Sequence, residues 1–307
     1  MRNLKKLKIS ALILSFILVL GIFAGCTNKT KTMKDRAGND FNVPKKMDRI
    51  ISTAPSNTEI LVALGLGDKI IATDKYSKDI EGVNKDAATL DFLHPDAEKI
   101  VSLKPDIIIA STHNKAGGSD PFKAIKDAKI PVVYIKSSEN IEGIYGDIEF
   151  LAKLTNTEDK GKELVSNMKK EIDSIKKVGD KIKNKKTVYF EIGSSPSLYS
   201  FGEGTFLNEM INIIGAKNIF SSDKGWISPS AESVIEKNPD VILTNVNYIK
   251  DPVKKIEERK GWNTIKAVKN KAVYQIDTNS SSRPSQHIIK ALKEMAKDIY
   301  PNEYKNF

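Results

Sequence analysis

The stretch Pro95-Asp-Ala-Glu-Lys-Ile-Val-Ser-Leu-Lys-Pro-Asp-Ile-Ile-Ile109 decides the fold of this chain. A second stretch, Pro229-Ser-Ala-Glu-Ser-Val-Ile-Glu-Lys-Asn-Pro-Asp-Val-Ile-Leu243, aligns with it without gaps. Proline, alanine, glutamate, proline and aspartate coincide, and most other columns keep their chemical character. Solenoid repeats recur every few tens of residues, and these two stretches lie much further apart. We therefore predict two lobes that each contain the same supersecondary unit.

Each copy of the repeat has the pattern of a helix, a stop and a buried strand. Pro95 and Pro229 suit the first turn of a helix, where a missing N–H costs little. Glu98 and Glu232 then fall near the positive end of the helix dipole. A second proline stops each helix, and the apolar run Ile107–Ala110 is typical of a strand buried in a parallel sheet. The unit is half of a right-handed βαβ arrangement.

The N-terminus has the pattern of a targeting segment over residues 1–25. A basic start and an apolar run from Ile9 to Ala24 precede Cys26, the only cysteine of the chain. This order is typical of a secretory signal, and Cys26 stands where a bacterial lipoprotein signal places the acylated residue. The alternative is a retained transmembrane anchor, but the run is shorter than the roughly 20 residues that a span prefers. We predict an extracytoplasmic lipoprotein anchored to the membrane, with residues 26–45 as its tether.

Composition excludes several classes of protein. Four of the basic residues behind the net charge of +10 lie in the targeting segment, and no basic patch with interleaved aromatics follows. We therefore expect no nucleic-acid partner, and we expect a monomer. With Cys26 committed to lipid, no cysteine remains for a disulfide or a thiolate metal site. Three histidines, none spaced at i and i+4, disfavour a binder of free metal ions.

The remaining chain alternates strand patterns with helix patterns, which predicts parallel sheets. The predicted strands are 49–54, 69–74, 107–111 and 131–135 in an N-terminal lobe (46–156), and 187–192, 241–244 and 272–276 in a C-terminal lobe (185–307). Residues 158–183 contain no proline and repeat apolar side chains at helical spacing, which predicts one long bridging helix within 157–184. The predicted fold is α/β, with two Rossmann-like lobes of mainly parallel strands joined by that helix around a cleft.

From Met33 to Tyr300 the chain resembles the solute-binding proteins of ABC importers for iron chelates and vitamin B12. The motifs that carry the resemblance are Asp35-Arg-Ala-Gly38, Asn57-Thr-Glu59, Lys104-Pro-Asp106, Gly261-Trp262 and Arg283-Pro-Ser285. The resemblance implies a class III periplasmic-binding-protein fold without enzymatic activity or cofactor. It also implies a permease dimer and its ATPase as partners, and a metal chelate as ligand: ferric siderophore, haem or cobalamin.

The resemblance also assigns the two glutamates of the repeat. In this family one glutamate on each lobe pairs with arginines of the membrane subunits, and Glu98 and Glu232 match those positions. A protein with two lobes needs one charged anchor on each lobe to be held over a pore. The alternative is that each glutamate only stabilises the start of its helix.

Ligand residues are expected in the loops at the carboxyl ends of the strands, where α/β proteins bind small molecules. These loops are Thr53–Asn57, Asp74–Ser77, Asp91–His94, Thr112–Gly118, Ser194–Phe201, Gly225–Ile227 and Thr278–Arg283. By resemblance to the vitamin B12 binders, the candidate aromatic contacts are Tyr76, Phe92, Tyr199 and Trp226. The alternative for each of them is ordinary packing.

Two charged or ligating side chains complete the candidate site. Arg283 offers a cation for a carboxylate, a phosphate or a catecholate-type chelate, or else makes a structural contact before Pro284. His113 follows a strand in a glycine-bearing loop and could ligate a haem iron or a corrinoid cobalt, or else face solvent. A secreted hydrolase is the alternative function, although Gly193-Ser-Ser-Pro-Ser197 does not match Gly-x-Ser-x-Gly. A surface adhesin would explain none of these motifs.

Overall fold

An antiparallel hairpin opens the computed structural model, which describes residues 31–118, 120–194 and 196–307. Its strands are β1 (Thr32–Lys34) and β2 (Asp40–Asn42). In the turn, Asp35 accepts a hydrogen bond from the backbone N–H of Tyr134 at 3.0 Å, and Arg36 pairs with Asp147 at 2.6 Å. Residues 32–42, predicted as part of a free tether, are therefore held on the N-terminal lobe.

The predicted signal segment, including Cys26, lies outside the described residues. Of the helices that the structure does describe, none is both long enough and apolar enough to span a membrane. The described chain begins at Lys31, within the predicted tether.

Five parallel strands form the sheet of the N-terminal lobe, in the order β5-β4-β3-β6-β7. The strands are β3 (Ile50–Ser52), β4 (Ile70–Thr73), β5 (Ala88–Thr89), β6 (Ile107–Ser111) and β7 (Val132–Ile135). Alternate residues of β6 enter different clusters: Ile107 and Ile109 pack on one face of the sheet and Ile108 on the other. The continuous apolar run exists because both faces are covered.

Helices and short 3₁₀ turns connect these strands. The helices are α1 (Pro55–Ala63), α2 (Ala97–Ser102), α3 (Lys123–Asp127) and α4 (Ile141–Leu154), and the 3₁₀ turns are Gly67–Lys69 and Thr112–Gly118. Gly65 takes the left-handed conformation (φ 82°) that ends helix α1. The N-cap residue of α1 is Ala54, which has no polar side chain.

One helix, α5 (Glu158–Gly179), joins the lobes and is shorter than the predicted bridge. Val165, Met168 and Ile172 face a core cluster that includes residues of both lobes. Glycines permit close approach at both ends. A Cβ at Gly161 would overlap the Cβ of Ala152 in the N-terminal lobe, and one at Gly179 would overlap the carbonyl oxygen of Ile213 in the C-terminal lobe. The bridge is packed against both lobes and is not a free linker.

Four parallel strands form the main sheet of the C-terminal lobe, in the order β10-β8-β12-β13, and β9 and β11 form a separate antiparallel pair. The strands are β8 (Thr187–Glu191), β9 (Ser200–Phe201), β10 (Lys217–Asn218), β11 (Trp226–Ile227), β12 (Val241–Thr244) and β13 (Val273–Gln275). The helices are α6 (Phe206–Ile213), α7 (Ala231–Lys237), α8 (Pro252–Glu257), α9 (Lys266–Lys269), α10 (Thr278–Ser282) and α11 (Ile288–Ile299). A 3₁₀ turn spans Trp262–Thr264. The predicted loop at 278–283 is mostly the short helix α10.

The repeated stretch begins in the same way in both lobes. Asp96 is the N-cap residue of α2 and accepts a hydrogen bond from the N–H of Lys99 at 3.0 Å. Ser230 does the same for α7 with the N–H of Ser233 at 3.1 Å. The predicted position of Pro95 and Pro229 in the first helical turn is therefore wrong, because each proline precedes the N-cap residue.

The repeat also ends in the same way. Lys104 and Asn238 both adopt left-handed backbone conformations, with φ of 48° and 44°, and turn the chain out of the helix. Asp106 then accepts hydrogen bonds from the N–H groups of Asp48 and Arg49 at 2.9 and 3.0 Å. Asp240 accepts from the N–H and the hydroxyl of Thr187 at 2.9 and 2.8 Å. Each aspartate thus fixes the start of the neighbouring strand, β3 or β8.

Candidate ligand-binding cleft

The cleft lies between the lobes, at the carboxyl ends of their parallel strands. Thr112 and Lys136 line it directly after β6 and β7, and Ile192 and Asn245 line it directly after β8 and β12. Its larger cavity has a volume of about 810 Å³ and its smaller cavity about 350 Å³. His113 is among the residues that line both, so the two cavities adjoin. Volumes of this size suit a small molecule or cofactor.

Four of the predicted ligand residues line these cavities. Trp226 and His113 line the larger cavity, and Tyr76, His113 and Arg283 line the smaller one. Tyr76 and Trp226 are 66% and 59% exposed, so each lobe presents an aromatic side chain that is not committed to its core. Trp226 rests edge-on against Phe201, with ring centroids 6.2 Å apart.

Two predicted aromatic contacts lie elsewhere. Phe92 is only 3% exposed and packs against Phe122 in the N-terminal core, with ring centroids 6.2 Å apart. Tyr199 is 51% exposed and packs over Gly193, to which its N–H is hydrogen-bonded at 2.9 Å. Neither lines the two cavities. We therefore leave Phe92 out of the candidate site. Tyr199 lies beside the candidate site but does not line its cavities.

Arg283 forms a clasp between the lobes. Its Nη1 pairs with Oε1 of Glu59 on α1 at 2.6 Å, and its Nη2 donates to the carbonyl oxygen of Tyr76 at 3.1 Å. Ser285 also donates to the Glu59 carboxylate, and the Gln286 side chain donates to the Glu59 carbonyl oxygen at 3.1 Å. The Arg283 and Glu59 side chains are 15% and 5% exposed. The structural alternative for Arg283 is thus realised, although its side chain still borders the smaller cavity.

Sequence reasoning missed several charged residues of the larger cavity. Lys136 and Glu139 line it and form an ion pair at 3.4 Å, and the exposed side chains of Glu203 and Lys224 line it from the other lobe. The signal for Lys136 was available, because it directly follows a predicted strand. Nothing local in the sequence distinguishes Glu203 and Lys224 from other surface charges.

The serine-rich segment of the cleft is organised by two polar side chains. Asp277 caps α10 by accepting from the N–H and hydroxyl of Ser280 at 2.8 and 2.7 Å. Burial would raise the pKa of Asp277, but these hydrogen bonds and Lys290 outweigh it and lower the pKa. Asn245 donates to the hydroxyls of Ser281 and Ser282 at 3.0 and 3.1 Å. The segment is therefore a fixed wall of the cleft.

A buried ion pair supports the cleft edge of the C-terminal lobe. Both terminal guanidinium nitrogens of Arg259, Nη1 and Nη2, donate to the Glu191 carboxylate, at 2.7 and 2.9 Å, and Glu191 is 1% exposed. Arg259 also donates to the hydroxyl of Ser194 at 3.2 Å and lies over the ring of Trp262 at 4.1 Å. In the described part of the chain no histidine is bonded to the Ser194 hydroxyl. The contacts of Ser194 are those of a structural residue.

The two repeat glutamates lie at the start of α2 and α7, one on each lobe. Both are exposed, and no ion pair joins either of them to a basic group in the described ranges. A helix that crosses between parallel strands begins at the carboxyl edge of the sheet, which is the edge that borders the cleft. Glu98 and Glu232 are thus free charges that flank the cleft.

Ionisable side chains do not gather into a metal site in the part of the chain that the structure describes. No group of three or more His, Cys, Asp or Glu residues there could hold a metal ion. His113 is exposed and lies at the border of the two cavities. A ligand in either cavity could reach its imidazole.

Comparisons with known proteins agree on one family. A family model described as periplasmic binding protein matches residues 50–279. An uncharacterized ABC transporter substrate-binding lipoprotein of Bacillus subtilis is 34% identical over 279 residues, which cover 89% of this chain and 87% of that protein. A vitamin B12-binding protein of Vibrio parahaemolyticus is 24% identical over 253 residues, covering 81% of this chain and 88% of that protein.

A solved structure agrees with the sequence relatives. It is that of a possible iron-binding (periplasmic solute-binding) protein from Staphylococcus epidermidis, 36% identical, with a TM-score of 0.75. The match covers 83% of this chain and all of that chain. The predicted fold class, two α/β lobes with parallel sheets joined by one helix, is confirmed.

Proposed function

This chain belongs to the periplasmic binding protein family, and we propose that it captures a metal chelate outside the membrane and delivers it to an ABC importer. It is a solute-binding protein and not an enzyme. The proposed ligands are a ferric siderophore, haem or cobalamin, and the proposed partners are a permease dimer and its ATPase. Cys26 would carry the lipid that holds the protein at the membrane.

The cleft carries this proposal. Its larger cavity is lined by both lobes, so a ligand there contacts both at once. Trp226 faces it, and Tyr76 faces the adjoining cavity from the opposite lobe. Exposed aromatic faces suit a flat macrocycle or an aromatic chelating group, because both present large apolar surfaces. The vitamin B12-binding relative and the possible iron-binding structure are consistent with a ligand of this kind.

Tryptophan fluorescence tests the ligand class. The purified protein is titrated with a ferric siderophore, with haem and with cobalamin, and at least one of them is expected to quench its emission. Trp226 is 59% exposed at the cavity, whereas Trp262 is fully buried beside Tyr189. The response should therefore be weaker in W226F than in W262F, its matched control. No response to any of the three compounds would contradict the metal-chelate proposal.

Docking is proposed to use Glu98 and Glu232. Each is an exposed carboxylate in the first turn of its helix, at the same position of the repeated unit on either lobe. Arginines of a permease dimer could pair with both carboxylates at once, because charge-assisted pairs of this kind are strong and directional. Two anchors, one on each lobe, would orient the cleft over the pore.

An uptake assay separates docking from a purely structural role. The double variant E98A/E232A is expected to lose uptake while ligand affinity and thermal stability stay close to wild type. Glu236 is also exposed on α7, so E236A removes the same charge from the same helix and should keep uptake. A loss of ligand affinity or of stability in the double variant would contradict the docking role.

A further inference from the structure

The first helix of the N-terminal lobe begins inside the smaller cavity without a side-chain cap. Its N-cap residue is Ala54, which has no polar side chain, and the next residue is Pro55, which has no N–H. The backbone N–H groups of Ser56 and Asn57 have no acceptor among the described residues. All four residues line the smaller cavity. Such a helix start attracts anions, because free N–H groups and the positive end of the dipole coincide.

The side chain of Asn57 gives a second, independent observation. Asn57 is 2% exposed, and its amide nitrogen is buried without a hydrogen-bond partner. Four buried side-chain nitrogen or oxygen atoms in the described ranges lack a partner, and only this one belongs to a residue that lines either cavity, the smaller one. An unpaired buried donor costs free energy unless a ligand accepts from it.

The C-terminal lobe shows that an uncapped start is not a requirement of the fold. Helix α6 has Thr205 as its N-cap residue and asparagine at the same offset, Asn208. The Thr205 hydroxyl accepts from the N–H of Asn208 at 3.3 Å. The Asn208 side-chain oxygen accepts from the side chain of Asn218 at 3.0 Å. In α1 the first bond has no counterpart because Ala54 has no hydroxyl, and the side-chain nitrogen of Asn57 is unpaired.

The charges around the smaller cavity suit an anion. Lys136, Arg283 and the imidazole of His113 line it. Asp147 is the one carboxylate among the described residues that line it, and this carboxylate already accepts from Arg36 at 2.6 Å and from the hydroxyl of Ser138. An incoming anion therefore meets two cations, each with one carboxylate partner (Glu139 for Lys136 and Glu59 for Arg283), and one carboxylate that is already paired.

We infer that the smaller cavity is an anion subsite built on the start of α1. The N–H groups of Ser56 and Asn57 and the Asn57 amide bind an oxygen-bearing anionic group, either a carboxylate or phosphate arm of the cargo or a free oxyanion. Because His113 and Lys136 line both cavities, an arm can enter from a ligand held in the larger one. The cargo-arm form of this inference rests on the proposed function.

Two variants with different chemistry test the subsite. N57D replaces the amide donor with a carboxylate, and A54S supplies the missing cap, as Thr205 does for α6, so that the cap competes with the anion. N270D, which makes the same charge change at an exposed position outside the cleft, is the matched control. The probes are inorganic phosphate, haem, and haem dimethyl ester, whose carboxylates are blocked. Calorimetry measures phosphate affinity, and tryptophan fluorescence measures the affinities for haem and its ester.

Binding is expected to weaken at least ten-fold in N57D and A54S and to stay unchanged in N270D. If N57D and A54S bind phosphate more weakly than wild type, the subsite holds a free oxyanion. If instead they lose the preference of wild type for haem over its ester, the subsite holds a carboxylate arm of a chelate. The added cap should leave A54S at least as stable as wild type, so weaker binding in that variant is not due to misfolding. The inference is overturned if wild type neither binds phosphate nor prefers haem, or if both variants bind like wild type.

These outcomes also separate the subsite from the proposed function. Chelate binding that is unchanged in both variants overturns the subsite and leaves the capture of a chelate intact. Phosphate binding that depends on Asn57, together with no binding of a ferric siderophore, haem or cobalamin, overturns the capture of a chelate and leaves the subsite intact.

Discussion

In the N-terminal lobe the buried carboxylate of Glu59 pairs with Arg283 of the other lobe, whereas in the C-terminal lobe Glu191 pairs with Arg259 of the same lobe. The first pair ties the lobes together across the cleft, and the second fixes the shape of one cleft wall. The N-terminal lobe also leaves α1 uncapped, while α6 of the C-terminal lobe is capped by Thr205. The lobes share a scaffold but differ at the cleft edge, where Glu191 and the start of α6 in the C-terminal lobe find their partners within that lobe.

Removal of the cation from each ion pair should therefore lower the free energy of unfolding by different amounts. Arg259→Leu leaves Glu191 buried without its cation, and this should lower the free energy of unfolding by about 3–5 kcal/mol. Arg283→Leu should cost less, about 1–3 kcal/mol, because Ser285 still donates to Glu59. Urea unfolding of both variants measures these losses.

An exposed pair serves as the control for this comparison. Lys254 and Glu258 lie 3.7 Å apart and are 67% and 59% exposed, so Lys254→Leu should cost less than about 1 kcal/mol. If Arg259→Leu were no more harmful than Lys254→Leu, the Glu191–Arg259 pair would not support the cleft wall as described.

The repeated aspartates should show the opposite result, a similar cost in both lobes. Asp106→Ala and Asp240→Ala each remove the acceptor of two hydrogen bonds at the start of a neighbouring strand. Each variant should lose about 1–3 kcal/mol of unfolding free energy, and the double variant should lose the sum, because the sites share no partner. Asp→Asn at either position keeps one oxygen and should lose less. A large loss in one lobe and none in the other would show that the repeated bonds are not equivalent.

The sequence predicted the scaffold well because its signals are local. Buried strands appear as short apolar runs, and prolines and glycines mark where helices stop, so the strands at 107–111 and 241–244 were predicted to the residue. The helical spacing of Val165, Met168 and Ile172 predicted the bridge in the same way. Two copies of one unit predicted two lobes before any contact was known.

What the sequence could not predict depends on partners that lie far along the chain. Residues 32–42 look like a polar tether, and only Tyr134 and Asp147 explain why this segment is folded onto the lobe. The serine-rich segment 278–282 has low helix propensity, and its helix depends on the cap by Asp277. The sequence suggested that Arg283 contacts a ligand, because its actual partner, Glu59, lies 224 positions away and is not visible as a partner in the sequence. Long-range pairing of this kind leaves no pattern in a single sequence.

The smallest expected effect is a response to pH in the C-terminal lobe. Burial raises the pKa of Asp147 in the N-terminal lobe even though the hydroxyl of Ser138 and the cation of Arg36 oppose this, and Asp298 of α11 has no cationic partner in the described part of the chain. Burial, and then the charge of Glu294, raise the pKa of Asp298 to about 6. A carboxyl with a raised pKa binds its proton more tightly in the native state than in the unfolded chain. Its protonation therefore stabilises the fold below pH 4, and this contribution is lost as the pH rises from about 4 to about 7.

Asp298→Asn removes this titration. The variant should match wild type near pH 4 and exceed it at pH 7 by about 1 kcal/mol, a value reduced for solvent screening because the side chain is partly exposed. Unfolding free energies measured at intervals between pH 4 and pH 7 check this. Asp86→Asn makes the same change at an exposed position of the N-terminal lobe and should leave the pH profile unchanged. If Asp298→Asn left the profile unchanged as well, the native protein would hold Asp298 in water, and burial would not raise its pKa.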